Sequence, residues 1–183
     1  MDRPVDDVVQ PIEIALHPAV ALAKQAVEAY VNAGVTIKPP PNLSGVLLGQ
    51  AGVFVCIKER HRLRGCIGTL MPRHTNVAEE IITNAISSAA NDPRFPPVSA
   101  AELPHLTYSV DILTSPEPIT GLAELDPKRY GVIVRHGYRQ GLLLPDLEGV
   151  DTAAEQVRIA RAKAGIGEHE PVELFRFEVQ RFE

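Results

Sequence analysis

The 183-residue chain has two cysteines, no tryptophan and 5% aromatic residues. With Cys56 and Cys66 alone, neither a disulfide scaffold nor a four-cysteine metal site is available. Positive charge is also short, since 18 Lys and Arg stand against 23 Asp and Glu for a net charge of −5. That balance argues against general affinity for nucleic acid. No apolar run approaches the roughly 20 residues of a membrane span. The opening "MDRPVDDVVQPIEI" lacks the charged-then-apolar order of a signal peptide. No CxxC, HxH or HExxH spacing occurs, nor a Walker loop or a Rossmann glycine pattern, so no metal and no cofactor is expected. A cytoplasmic protein is the simplest expectation.

What is present is a hydrophobic fraction of 45%, enough for the core of one domain. Residues 1–15 read as a loose leader and residues 16–183 as a single domain. Pro18 suits the first turn of a helix, where its missing N–H costs nothing. Ala19, Leu22, Ala23, Ala26, Val27, Tyr30 and Val31 then recur at helical spacing, and Gly34 supplies the stop. "GVFVCIKERHRLRGCIGTL" reads as a hairpin. Asn76 and Glu79 form a capping box for the next helix, whose buried stripe is Val77, Ile81, Ile82, Ala85, Ile86 and Ala89. "NDPRFPP" ends that helix, and "LTYSVDILT" alternates as a strand. The order then recurs in "YGVIVRHGYRQGLLLPDL", "DTAAEQVRIARAKAG" and "PVELFRFEVQRF". A first unit of about 45–115 and a second of about 121–183 predict an α+β fold. The expected arrangement is duplicated hairpin–helix–strand units forming one curved, mainly antiparallel sheet flanked by helices, in two lobes.

The segment "LRGCIGTL" places two glycines around a cysteine in a strand, where glycine is unfavourable. Strand alternation predicts Arg64, Cys66 and Gly68 on one face, with Arg64 and Cys66 about 6.5 Å apart. A guanidinium there favours a thiolate. Gly68 would leave space beside the sulfur, and Gly65 would admit another backbone from the opposite face. Cys66 is therefore the candidate nucleophile. Arg64, Gly65, Gly68 and Arg94 are the candidate ligand-binding set, with Arg94 presented by a loop that Pro93, Pro96 and Pro97 stiffen. A structural alternative stands beside each assignment. A buried cysteine behaves as a small hydrophobe, the glycines mark a β-bulge, and Arg94 binds a carbonyl. A catalytic thiol needs a base, and His61, His74, His105 and His136 reach Cys66 solely through the fold. Cys56 falls opposite Cys66 if the hairpin turn centres on His61, and out of register if it centres between Arg60 and His61. Even opposed Cβ atoms are about 5 Å apart, slightly too far for a relaxed disulfide, and a reduced cytoplasm also argues against one. "KERHRLR", with Arg73 and His74 ahead of the helix at Asn76, is a second candidate anion site.

"GVFVCI", "LRGCIGT", "DPRFPP", "ELPHLTYSVDILTSPEPI", "GLLLPDL" and "AKAGI", in this order, resemble the AMMECR family. Its prokaryotic members are also called AmmeMemoRadiSam system protein A. The resemblance runs from roughly residue 18 to 183. Tyr130, before the second hairpin's glycine, and the absence of a tryptophan after "LLLPDL" depart from the family pattern. The resemblance implies a two-lobed α+β fold and association with Memo-like and radical SAM proteins, but no particular reaction. The expected function is binding of a small anionic ligand or a partner protein at the LRGCIG motif, without nucleic-acid or membrane partners. The alternative is a cysteine-dependent enzyme with Cys66 as nucleophile or group carrier.

Overall fold

The computed structural model describes residues 16–183. The expected leader over residues 1–15 lies outside the described residues. Helix α1 spans Pro18–Ala33. The His17 side chain accepts a hydrogen bond from the Ala19 N–H, and Gly34 closes the helix in the left-handed region at φ 67°. Ala19, Leu22, Ala23, Ala26 and Val27 are buried, as their spacing predicts, while Tyr30 and Val31 at the end of the stripe are only partly buried against the same core.

Strands β1 (Val53–Glu59) and β2 (Arg62–Thr69) form the first hairpin, followed by α2 (Val77–Ala90), β3 (Leu106–Leu113) and the short β4 (Glu117–Ile119). The second series is β5 (Gly131–His136), β6 (Arg139–Leu143), α3 (Ala153–Lys163), β7 (Glu173–Phe177) and β8 (Val179–Phe182). Asn76 and Thr152 cap α2 and α3 by accepting from the amides three residues on. The whole expected stripe of α2 is buried.

The single curved sheet predicted from the sequence is instead two antiparallel sheets, ordered β2-β1-β3-β8 and β4-β7-β5-β6. The closing segment "PVELFRFEVQRF" does not run as one strand. It divides at Glu178, so that β7 stays with β5 while β8 pairs with β3. Thr114 anchors the crossing: its hydroxyl accepts from the Glu178 N–H, and its own N–H donates to the Glu178 carbonyl. In the other direction, β4 leaves the first series and pairs with β7. Each half therefore donates its last short strand to the edge of the other half's sheet.

Three cores follow from this arrangement. Val53, Val55, Ile57 and Val110 face α1 and α2, and Val132 and Val134 face α3. The sheet faces without helices meet around Leu113, Ile133 and Phe177, with Phe54, Leu142, Phe175 and Val179 packed against them. Among the described residues, no helix is long and apolar enough to cross a membrane.

Candidate functional site

The hairpin carrying Cys66 turns through Arg60 and His61, both at positive φ (48° and 68°). The turn therefore centres between these two residues, as in the second of the two registers considered from the sequence. That register would place Cys56 opposite Gly65. Yet Cys56 lies opposite Cys66, because a bulge intervenes: Lys58 pairs with Leu63 and Ile57 with Gly65, leaving Arg64 as the extra residue.

The bulge corrects the expected placement of Arg64. Alternation is interrupted there, and the Arg64 side chain runs to Glu102, with Nε–Oε1 at 2.6 Å. It also lies 5.9 Å from the Phe95 ring centre. Glu102 follows α2, so Arg64 fastens the segment after the helix to the hairpin instead of facing the Cys66 sulfur. Its guanidinium holds Glu102 down to about 2, with a smaller contribution from the Ser99 amide.

Gly65 meets its expectation of a close backbone approach: a Cβ there would come 2.1 Å from the Ser88 carbonyl oxygen of α2. Four residues earlier on the same helix, the Asn84 amide donates to the Val53 carbonyl at 3.1 Å. The second half repeats the device. Gly141 would meet the Ala160 carbonyl at 1.9 Å, and Gln156, four residues before Ala160, donates to the Tyr130 carbonyl at 2.7 Å. Gly68 differs from its expectation. The space beside it is filled by the Phe54 ring, whose Cγ would lie 2.2 Å from a Cβ at this position. No room for a ligand is left there.

Cys66 sits on the outer strand of its sheet, and the "DPRF" loop covers that edge. The Cys66 N–H donates to Asp92 Oδ2 at 2.9 Å, and Arg94 Nη2 donates to the Cys66 carbonyl at 3.1 Å. Arg94 also grips Asp92 through Nε to Oδ1 (2.9 Å) and Nη2 to Oδ2 (2.7 Å). That guanidinium, ahead of the Cys66 and Arg94 amides, holds the Asp92 carboxyl far below the usual carboxylate range. Asp92 is buried, whereas the Arg94 side chain is half exposed. At Cys66 the edge thus has its backbone N–H and carbonyl satisfied by side chains, which blocks further strand pairing there.

The Cys66 thiol adjoins Cys56, its cross-strand neighbour, and both residues are partly exposed. The coupling between the two thiols lowers Cys56 and raises Cys66, and burial adds to the rise at Cys66. Next among the charges acting on Cys66 are Arg94 and Asp111. Asp111 is buried and paired with Arg181 of β8 at 2.7 Å. From the other half comes Lys163, in the last turn of α3. Its pKa is lowered first by burial and then by Arg94, against a weaker opposing pull from Cys66. Lys163, Asp111 and Arg181 escaped the sequence reading because each is far from Cys66 in sequence, Asp111 on β3 and the other two in the second half.

The proposed anion site at the start of α2 is occupied by the protein's own carboxylates. Glu80, buried, accepts from the amides of Arg73 (2.8 Å) and His74 (3.0 Å), and the Thr69 hydroxyl donates to it. Among the described residues, no group of three or more His, Cys, Asp or Glu is placed to hold a metal ion.

This geometry defines a two-sheet α+β protein whose halves exchange strands and meet beside a pair of thiols. The AMMECR1 family model matches residues 20–182, and the chain belongs to that family. It is 52% identical over 172 residues to a Thermotoga maritima protein, covering 92% of this chain and 99% of that one. A Clostridium acetobutylicum protein is 48% identical over 166 residues, which are 90% of this chain and 35% of the relative. The crystal structure of uncharacterized protein PH0010 from Pyrococcus horikoshii superposes with a TM-score of 0.82 at 34% identity, covering 89% of this chain and 88% of that one.

Proposed function

We propose that the chain is a binding protein that holds an anionic group, a small carboxylate or phosphate or an acidic side chain of a partner protein, in the seam between its halves. One observation carries this reading: Lys163 of the second half is close enough to Arg94 and Cys66 of the first for their charges to act on it. Arg94 already serves Asp92. Lys163 is therefore the cation left to receive an incoming anion, with the half-exposed Arg94 guanidinium beside it. An enzymatic role for Cys66 is less well supported. The charges acting most on its thiol are Cys56, Arg94 and Asp111, no histidine is among them, and the thiol is pushed up.

The Clostridium relative, about a third of whose length this chain matches, supports the idea of a module that works beside other protein. Memo-like and radical SAM proteins are the partners we propose, on the family resemblance. We also read the two matching series, each with its glycine–helix contact, as an internal duplication, and place the protein in the cytoplasm on its two free thiols.

The test is an amide NMR titration with inorganic phosphate and with glutarate, at constant ionic strength. Saturable shifts at Cys66, Ile67 and the end of α3 are expected, and Lys163→Ala should abolish them while leaving the rest of the spectrum in place. Shifts spread over the surface, or unchanged in the variant, would overturn the reading.

A further inference from the structure

We propose that Cys56 and Cys66 form a reversible thiol–disulfide couple, oxidised across the β1–β2 ladder by a low-molecular-weight disulfide. The proposal uses the floor of the same seam but does not depend on anion binding.

The register places the two cysteines directly opposite each other. The Cys66 N–H and carbonyl both point out of the sheet, to Asp92 and Arg94, so the pair is of the non-hydrogen-bonded kind. In such a pair the Cα atoms are about 4.5 Å apart, and bridged cysteines have separations of about 4.4–6.8 Å. Opposed Cβ atoms in sheets are about 4.5–5.5 Å apart, so closing the bond draws the strands together slightly. The strand that must move is β2, which is paired on one side alone. Both residues are partly exposed, so a small oxidant can reach them.

The coupling between the two opposed thiols also sets the order of events. It favours the thiolate at Cys56 and keeps the proton on Cys66. The Cys56 thiolate attacks one sulfur of glutathione disulfide, the probe oxidant, whose S–S bond breaks and releases one glutathione thiolate. Cys66 then gives its proton to that thiolate or to water. Its sulfur attacks Cys56 and expels the second glutathione thiolate. One S–S bond is lost and one is formed, and two electrons pass from the protein to the oxidant. Because Cys66 also anchors the edge cap through its backbone, the oxidised form should disturb Asp92 and Arg94.

The experiment is equilibration of the full chain in glutathione buffers of graded redox poise, followed by acid quench, alkylation and mass spectrometry. The expected oxidised product is a monomer lighter by two hydrogens that excess reduced glutathione restores. Trypsin cuts after Lys58, Arg60, Arg62 and Arg64, so digestion should yield two peptides joined through Cys56 and Cys66. Cys66→Ser should accumulate the mixed disulfide at Cys56. Amide NMR of the oxidised wild type should show shifts at Asp92 and Arg94. A wild type that stays reduced in excess glutathione disulfide would overturn the proposal. So would mixed disulfides on both cysteines without ring closure, or disulfide-linked dimers alone. The wild-type digestion decides the matter even if a serine variant fails to fold.

Discussion

Gly65 is required because α2 comes closer to β2 than any side chain permits. A methyl group at this position would meet backbone, the Ser88 carbonyl, and backbone cannot swing aside as a side-chain tip can. Gly65→Ala should therefore cost about 1–3 kcal/mol of stability or more, as overpacking does. Urea unfolding would measure it, and a change within about 0.5 kcal/mol would show that the helix yields freely. The glycine's role was legible in the sequence as a close approach from the far face. The burial of Ser88 was not, since its hydroxyl donates to the Val55 carbonyl (2.7 Å) and accepts from the Ile67 N–H (2.8 Å) through the tertiary fold. Two carboxylates make a second residue-scale prediction. Asp92 and Glu102 are both depressed by their arginines. A depressed carboxyl contributes stability that is full above its unfolded value, about 4, and is lost as pH falls through the folded one. The urea midpoint should thus fall between about pH 5 and pH 2. Glu102→Gln should lower it at neutral pH and flatten the slope below pH 5. An unchanged slope in the variant would remove Glu102 from the account.

At the scale of elements, the helices and hairpins were readable because their signals are local. Pro18, Gly34, Asn76 and the apolar stripes fix α1 and α2 within the residues that form them. Gly65 marked a bulge in this strand, but nothing local identified Arg64 as the extra residue. The bulge follows from a two-residue turn that must be reconciled with the pairing of Cys56 and Cys66. That one-residue shift sends Arg64 to Glu102, whereas Arg94 reaches the Cys66 carbonyl. Two tests belong here. Ile82, 2% exposed on α2, should lose about 2–5 kcal/mol on truncation to Ala, whereas a surface-like loss within about 0.5 kcal/mol would mean the helix faces the other way. Asp92→Ala uncovers the Cys66 N–H and frees Arg94. A cost of about 1–3 kcal/mol is expected for the orphaned donor, with faster hydrogen exchange at the Cys66 amide. An unaltered exchange rate would show that the loop does not guard the edge.

The exchange of β4 and β8 makes the whole molecule more than two lobes side by side. Each sheet is completed by the other half, and Leu113, Ile133 and Phe177 close the space between. None of this is local, which is why an alternating segment such as "ELFRFEVQRF" reads as one strand although Glu178 hands it from one sheet to the other. The same distance effect concealed Lys163, more than ninety residues from Cys66 in sequence yet close enough in space to feel its charge. The proposed anion site depends on that meeting of the halves around the thiol. Its most direct measurement is the rate of Cys66 alkylation by iodoacetamide, resolved by peptide mass spectrometry, with and without saturating inorganic phosphate at matched ionic strength. Phosphate should slow the modification of Cys66 several-fold in the wild type and leave it unchanged in Lys163→Ala. A rate indifferent to phosphate in the wild type, or slowed equally in the variant, would contradict an anion site at the seam.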